Sequence, residues 1–266
     1  MVRPTRTTTE KLRGGIRAVA LMCQLAKRVG AKNPHQFAGW FDERTGMDTQ
    51  ASGKWRLNFN GKQPLSPQQL QFLSHLDGDV ARLHFDGPAD LWRALWGDVR
   101  ELWPLCRGRF CSVGPMLDDR TWFEIEGEFG DEKTFGSALR ELESELLLAD
   151  AYREPLTLRH LTEAIAFYRL HQHINSLAPS EVDGVGLYLC VRMCLDDIDV
   201  LYKLSLLGIY ADVVSELEDM EFWRLRRDKS CRMIIATDDL ADYVGNPRAF
   251  VTDDSRWESL NFDWAS

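Results

Sequence analysis

The sequence predicts a mainly helical protein in two parts: a basic helical domain over 1–105 and an acidic helical bundle over 116–266, with at most one or two short strands. Three observations predict this. Apolar residues recur at spacings of three and four along most of the chain, which is the helix repeat. One stretch alone, 123–129, alternates with a period of two. Between the two parts, Pro104, Gly108, Gly114 and Pro115 interrupt the pattern over 104–120, where a linker is expected. With 266 residues, 44% apolar and 27% charged, the chain can bury a sizeable core and is too apolar to stay disordered.

The first helix is expected over 9–29. Leu12, Ile16, Val19, Cys23 and Ala26 line one face, Thr7 with Glu10 fits a capping box, and Gly30 supplies the stop. A second helix is expected over 35–45, with Phe37, Trp40 and Phe41 on its apolar face and Gly46 at its end. A third element falls around 49–60, closed by Gly61. Ser66-Pro67 opens a fourth, striped by Leu70, Leu73 and Leu76, with proline at the first helical position. Gly87-Pro88 opens a helix in which Trp92, Leu95, Trp96, Val99 and Trp103 step by three and four. These tryptophans read as core, since Trp is costly to expose.

Phe123-Glu124-Ile125-Glu126-Gly127-Glu128-Phe129 is the strand signal, with its three glutamates on a solvent-facing side. Helices follow over 134–150, 157–177, 186–207 and 210–228, and a short one over 237–244.

Charge is distributed unevenly. The net charge of −9 conceals a basic segment, 1–67, with 12 Lys and Arg against 4 Asp and Glu. Residues 68–150 carry 8 against 17, and 151–266 carry 12 against 20. Such asymmetry points to contact of the basic part with nucleic acid or a membrane surface. The alternative is that the basic segment docks on an acidic surface of its own chain or of a partner.

No run of apolar residues is long enough to span a membrane, and the basic N-terminus has no apolar stretch beside it, so no secretory signal is expected. Six unevenly placed cysteines fit reduced thiols and a cytoplasmic location.

Metal and catalytic signals fail on geometry. His171 and His173 stand two apart in a helical stretch, which turns their rings to opposite sides. Asp196, Asp197 and Asp199 look like a metal cluster, yet Arg192–Asp196 and Asp199–Lys203 are spaced as ion pairs on a solvated helix face. Cys190 and Cys194 lie one turn apart, on the apolar side with Leu201 and Leu204, and Cys106 and Cys111 flank a turn. Neither pair has a histidine at a zinc spacing. No GxSxG, Walker A or GxGxxG pattern is present. A third reading is a metal-dependent enzyme built on Glu124, Glu126, Asp196 or His171; no metal or cofactor is expected. Arg224, Arg226, Arg227, Lys229 and Arg232 follow Glu216, Glu218, Asp219 and Glu221 in one helix, an order that complements the helix dipole; the alternative is a supporting phosphate contact.

Within 35–76, FAGWFDERTG and then SGKWRLNFNGKQPLSPQQLQFLSHL resemble the helix-turn-helix of Cro/C1-type bacterial and phage regulators. The resemblance lies in an aromatic-containing third helix, then Gly61-Lys62, then Ser66-Pro67 opening a leucine-striped helix. It implies double-stranded DNA as partner and 49–60 as the recognition helix; the alternative is that 49–60 is an irregular basic loop on a helical domain. On that reading Gln50 and Ser52 read bases, Lys54, Arg56 and Lys62 contact phosphates, Asn58 shares their polar face, and Trp55 packs inward against Phe37 or Trp40. The acidic part would serve dimerisation or partner binding. The expected function is therefore a non-enzymatic DNA-binding regulator. The competing expectation is an interaction adaptor whose basic face meets an acidic protein or RNA.

Overall fold

In a computed structural model the first helix, α1 (Thr8–Val29), starts where its capping box predicts. The Thr7 N–H donates to Glu10 Oε2 at 2.7 Å, and the Glu10 N–H donates to Thr7 Oγ1 at 3.2 Å. Gly30 ends the helix in the left-handed region, at φ 72°. The structure describes residues 7–106, 132–177 and 184–227. No strand occurs among them, and the fold is mainly α. The strand expected at 123–129, the helix at 237–244, Cys111, Lys229 and Arg232 lie outside the described residues.

The chain divides into two compact units, 1–88 with 201–213, and 89–200 with 214–266. In the first, α1 is followed by α2 (Pro34–Thr45), α3 (Arg56–Phe59), α4 (Pro67–Leu76) and α5 (Val80–Phe85). The last of these was not anticipated from the sequence. One apolar cluster joins them: Leu21, Met22 and Leu25 of α1, Phe37 and Phe41 of α2, Trp55, Leu73 of α4 and Leu83 of α5. Helix α1 meets the loop after α3 backbone to backbone. A Cβ on Gly15 would stand 2.3 Å from the Gly61 carbonyl oxygen, so only glycine fits there. The C-terminal turn of α1 is tied down by Arg28, which bonds Asp77 at 2.5 Å and Asp79 at 3.1 Å.

The second unit contains the tryptophan-rich stretch, which the sequence assigns to the N-terminal domain. That stretch is also not one helix. It runs as a 3-10 turn (Pro88–Asp90), α6 (Leu91–Trp96), a second 3-10 turn (Val99–Glu101) and α7 (Leu102–Cys106). Gly97 breaks it with an extended backbone, φ −66° and ψ 167°. The tryptophans differ in burial: Trp92 is fully buried and stacks on half-buried Trp96, with centroids 5.0 Å apart.

Next come α8 (Glu132–Tyr152), α9 (Leu158–Leu177) and α10 (Gly184–Asp196). Helix α9 is central, with 161–168 all buried. Its polar side chains donate to carbonyls of the broken tryptophan stretch. Arg169 donates to the Ala94 and Gly97 carbonyls at 2.7 and 3.0 Å, Arg159 to the Leu105 carbonyl at 2.8 Å, and the Thr162 hydroxyl to the Ala89 carbonyl at 2.8 Å.

The helix expected over 186–207 is two, α10 and α11 (Ile198–Leu206). Asp197 interrupts it. Its carboxylate accepts from the Asp199, Val200 and Leu156 N–H groups at 2.9, 3.1 and 3.2 Å, which is an N-cap in place of a helical turn. The Arg192–Asp196 pair forms at 3.3 Å, while Asp199 and Lys203 make no ion pair with each other. Cys190 and Cys194 are buried as expected. His171 is buried, and His173, two residues on, is exposed. The chain continues into α12 (Tyr210–Arg227). There Glu221 is fully buried and accepts from the Tyr168 hydroxyl at 2.7 Å and from two Arg224 nitrogens, each at 2.6 Å.

Candidate nucleic-acid interface

The segment singled out by sequence, 49–60, is not a continuous helix. Residues 50–55 form turns, Gly53 sits at φ 60°, and only Arg56–Phe59 close into helix. A left-handed residue in mid-segment stops the helix repeat, and glycine adopts it without a Cβ penalty.

What holds these turns in place is a carboxylate on α2. Asp42 accepts from the Thr49 N–H at 2.8 and 2.9 Å, from the Thr49 hydroxyl at 2.6 Å and from the Gln50 N–H at 2.7 Å. Thr49 Oγ1 in turn accepts from the Trp55 indole N–H at 2.9 Å. Burial works to raise the Asp42 carboxyl, but the bonds from Thr49 and Gln50 outweigh it and hold the carboxyl below the ordinary aspartate range. Trp55, 2% exposed, packs edge-on to Phe37 and Phe41, with centroids 5.6 and 4.9 Å away. Its inward orientation matches expectation, though its second partner is Phe41 rather than Trp40.

The six predicted contact residues separate into two groups. Lys54, Arg56 and Lys62 are exposed and make no ion pair among the described residues. Other arginines differ: Arg28, Arg93, Arg159, Arg192 and Arg224 each have a carboxylate partner.

Asn58, Gln50 and Ser52 have side chains hydrogen-bonded within the unit. Asn58 is 1% exposed, so its place on a polar outer face is corrected. Its amide donates to the Gln63 carbonyl at 2.9 Å, and its Oδ1 accepts from Gln69 at 3.0 Å. Gln69 completes the capping box of α4 with Ser66. This closed set fastens α3 to the start of α4, because a buried amide is costly unless its donors and acceptors are met. Gln50 is half-buried and donates to the His35 carbonyl at 3.2 Å, with the His35 ring nitrogen also 3.2 Å from its amide. The Ser52 hydroxyl donates to the Thr49 carbonyl at 2.9 Å, although the residue is exposed.

Beside Arg56 lies a cleft of about 550 Å³, bounded by Asn33, His35, Gln50, Arg56 and Asn60. Asn33 caps α2, its Oδ1 accepting from the Gln36 N–H at 2.9 Å. Of these residues His35, Asn33 and Asn60 went unnoticed in the sequence. The Asn33-Pro34 pair was the available signal, since it marks a helix start.

Among the described residues no three His, Cys, Asp or Glu side chains converge as metal ligands, and no helix is long and apolar enough to cross a membrane. Compared with models of known protein families, with curated proteins and with solved structures, the chain matches none.

Proposed function

We propose that this chain is a non-enzymatic DNA-binding regulator whose first unit grips double-stranded DNA through its phosphates. The observation that carries the reading is the set of unpaired cations, Lys54 and Arg56 on a segment held by Asp42 and Trp55 and Lys62 just after it. Exposed cations without an internal partner, on backbone that cannot collapse around them, are suited to an external polyanion.

Base readout is the smaller part of this reading, because Asn58 is buried and the Gln50 amide is engaged with His35. A four-residue α3 offers little length to a major groove. Affinity is then mainly electrostatic and steeply dependent on salt. The second unit, with Tyr152, Ile198 and Trp223 largely exposed, would provide self-association or a protein contact.

A second reading, an adaptor binding an acidic protein or RNA, draws on Leu57. This leucine is 46% exposed and adjoins Arg56, as an apolar anchor within a basic protein interface would. Titration of random-sequence duplex into the full chain at two salt concentrations separates the readings. Salt-sensitive duplex binding supports the regulator, and its absence leaves the adaptor.

A further inference from the structure

We propose that the cleft between the start of α2 and the turns before α3 binds a nucleoside monophosphate, with the phosphate on Arg56. The proposal deepens the DNA-binding reading, because Arg56 would serve both ligands and each would exclude the other.

Three observations carry it. The first is size. At about 550 Å³ the cleft is larger than a lone phosphate requires, and it falls in the ~300–1,000 Å³ range of small-molecule sites. The second is charge. Arg56 lines the cleft without an ion pair, and no described Asp or Glu lines it, so an anion is favoured over a cation.

The third is the hydrogen-bonding inventory. Gln50 commits its amide nitrogen to the His35 carbonyl, which leaves Oε1 as an acceptor without a partner among the described residues. Asn33 commits Oδ1 to capping α2 and keeps its amide hydrogens. Asn60 adds a further amide, and His35 an exposed ring. A nucleobase edge needs such a mixture of donors and acceptors, and an exposed ring offers it a stacking surface. Pro34 and Ala38 supply the apolar remainder.

The test is calorimetric titration of the full chain with AMP, GMP, CMP and UMP, and with adenosine and inorganic phosphate as separate probes. At least one monophosphate is expected to saturate the protein, with adenosine and phosphate each weaker by about tenfold or more. Arg56→Ala and His35→Ala, both at exposed positions, should each weaken the nucleotide by about tenfold while the circular dichroism spectrum is unchanged. The same nucleotide should displace labelled duplex.

Three results overturn the proposal: no saturation by any monophosphate, equal affinity for inorganic phosphate, or undiminished binding in both variants. Duplex binding without nucleotide binding removes this inference and leaves the regulator reading standing. Nucleotide binding without duplex binding does the reverse.

Discussion

The Asp42 carboxylate holds Thr49 twice, at its backbone N–H and at its hydroxyl, the latter at 2.6 Å. Seven residues apart in sequence, the two join α2 to the basic turns. The hydroxyl passes the connection on by accepting from Trp55. Asp42→Ala leaves two buried or half-buried N–H groups and a hydroxyl without their acceptor. The expected cost is about 1–3 kcal/mol for the first unit, read from chemical denaturation.

The same carboxylate gives a pH dependence with a definite sign. Its folded pKa lies below the ordinary aspartate value of about 3.9. Its stabilisation is therefore fully present above that ordinary value and is lost as pH falls through the lower, folded one. Melting temperatures measured between pH 6 and pH 2 should fall less steeply in Asp42→Asn than in the parent. Parallel curves would remove Asp42 from the account of acid sensitivity.

At Gly15 and Gly30 the same substitution fails for different reasons. Gly15→Ala drives a methyl onto the Gly61 carbonyl oxygen, whereas Gly30→Ala meets no atom within 4 Å and is strained only by its φ of 72°. Overpacking should cost about 1–3 kcal/mol or more at Gly15, and the left-handed backbone about 1–2 kcal/mol at Gly30. Denaturation midpoints of the two variants would show the order.

In the second unit the buried Glu221 should tolerate loss of one partner better than the other. Tyr168→Phe removes a single hydrogen bond to that carboxylate, for about 1.5–3 kcal/mol. Arg224→Met removes both guanidinium bonds from a fully buried carboxylate and should cost about 3–5 kcal/mol. Equal melting temperatures for the two variants would mean that the carboxylate is compensated elsewhere.

The helices with local signals were legible in the sequence. Thr7, Glu10 and Gly30 bound α1, Ser66-Pro67 opens α4, and Gly46 closes α2, because caps act within a few residues of the helix they end. What escaped depends on distant partners. The break at Asp197 uses the Leu156 N–H, 41 residues away, and the turns over 50–55 hang on Asp42. In the candidate site, Lys54, Arg56 and Lys62 could be recognised as exposed cations. Asn58 could not be recognised as buried, because its acceptor role is fixed by Gln69, eleven residues on, across the link to α4.

The central claim, that Lys54, Arg56 and Lys62 meet phosphates, is tested most directly by the salt dependence of duplex binding. Each phosphate contact adds about 0.9 to the slope of log affinity against log salt. Lys54→Ala/Arg56→Ala should bind every duplex more weakly and flatten that slope by up to about two units, while Ser52→Ala leaves the slope unchanged. A parent that does not bind duplex DNA, or a double variant that binds with the parent's affinity and slope, would contradict the claim.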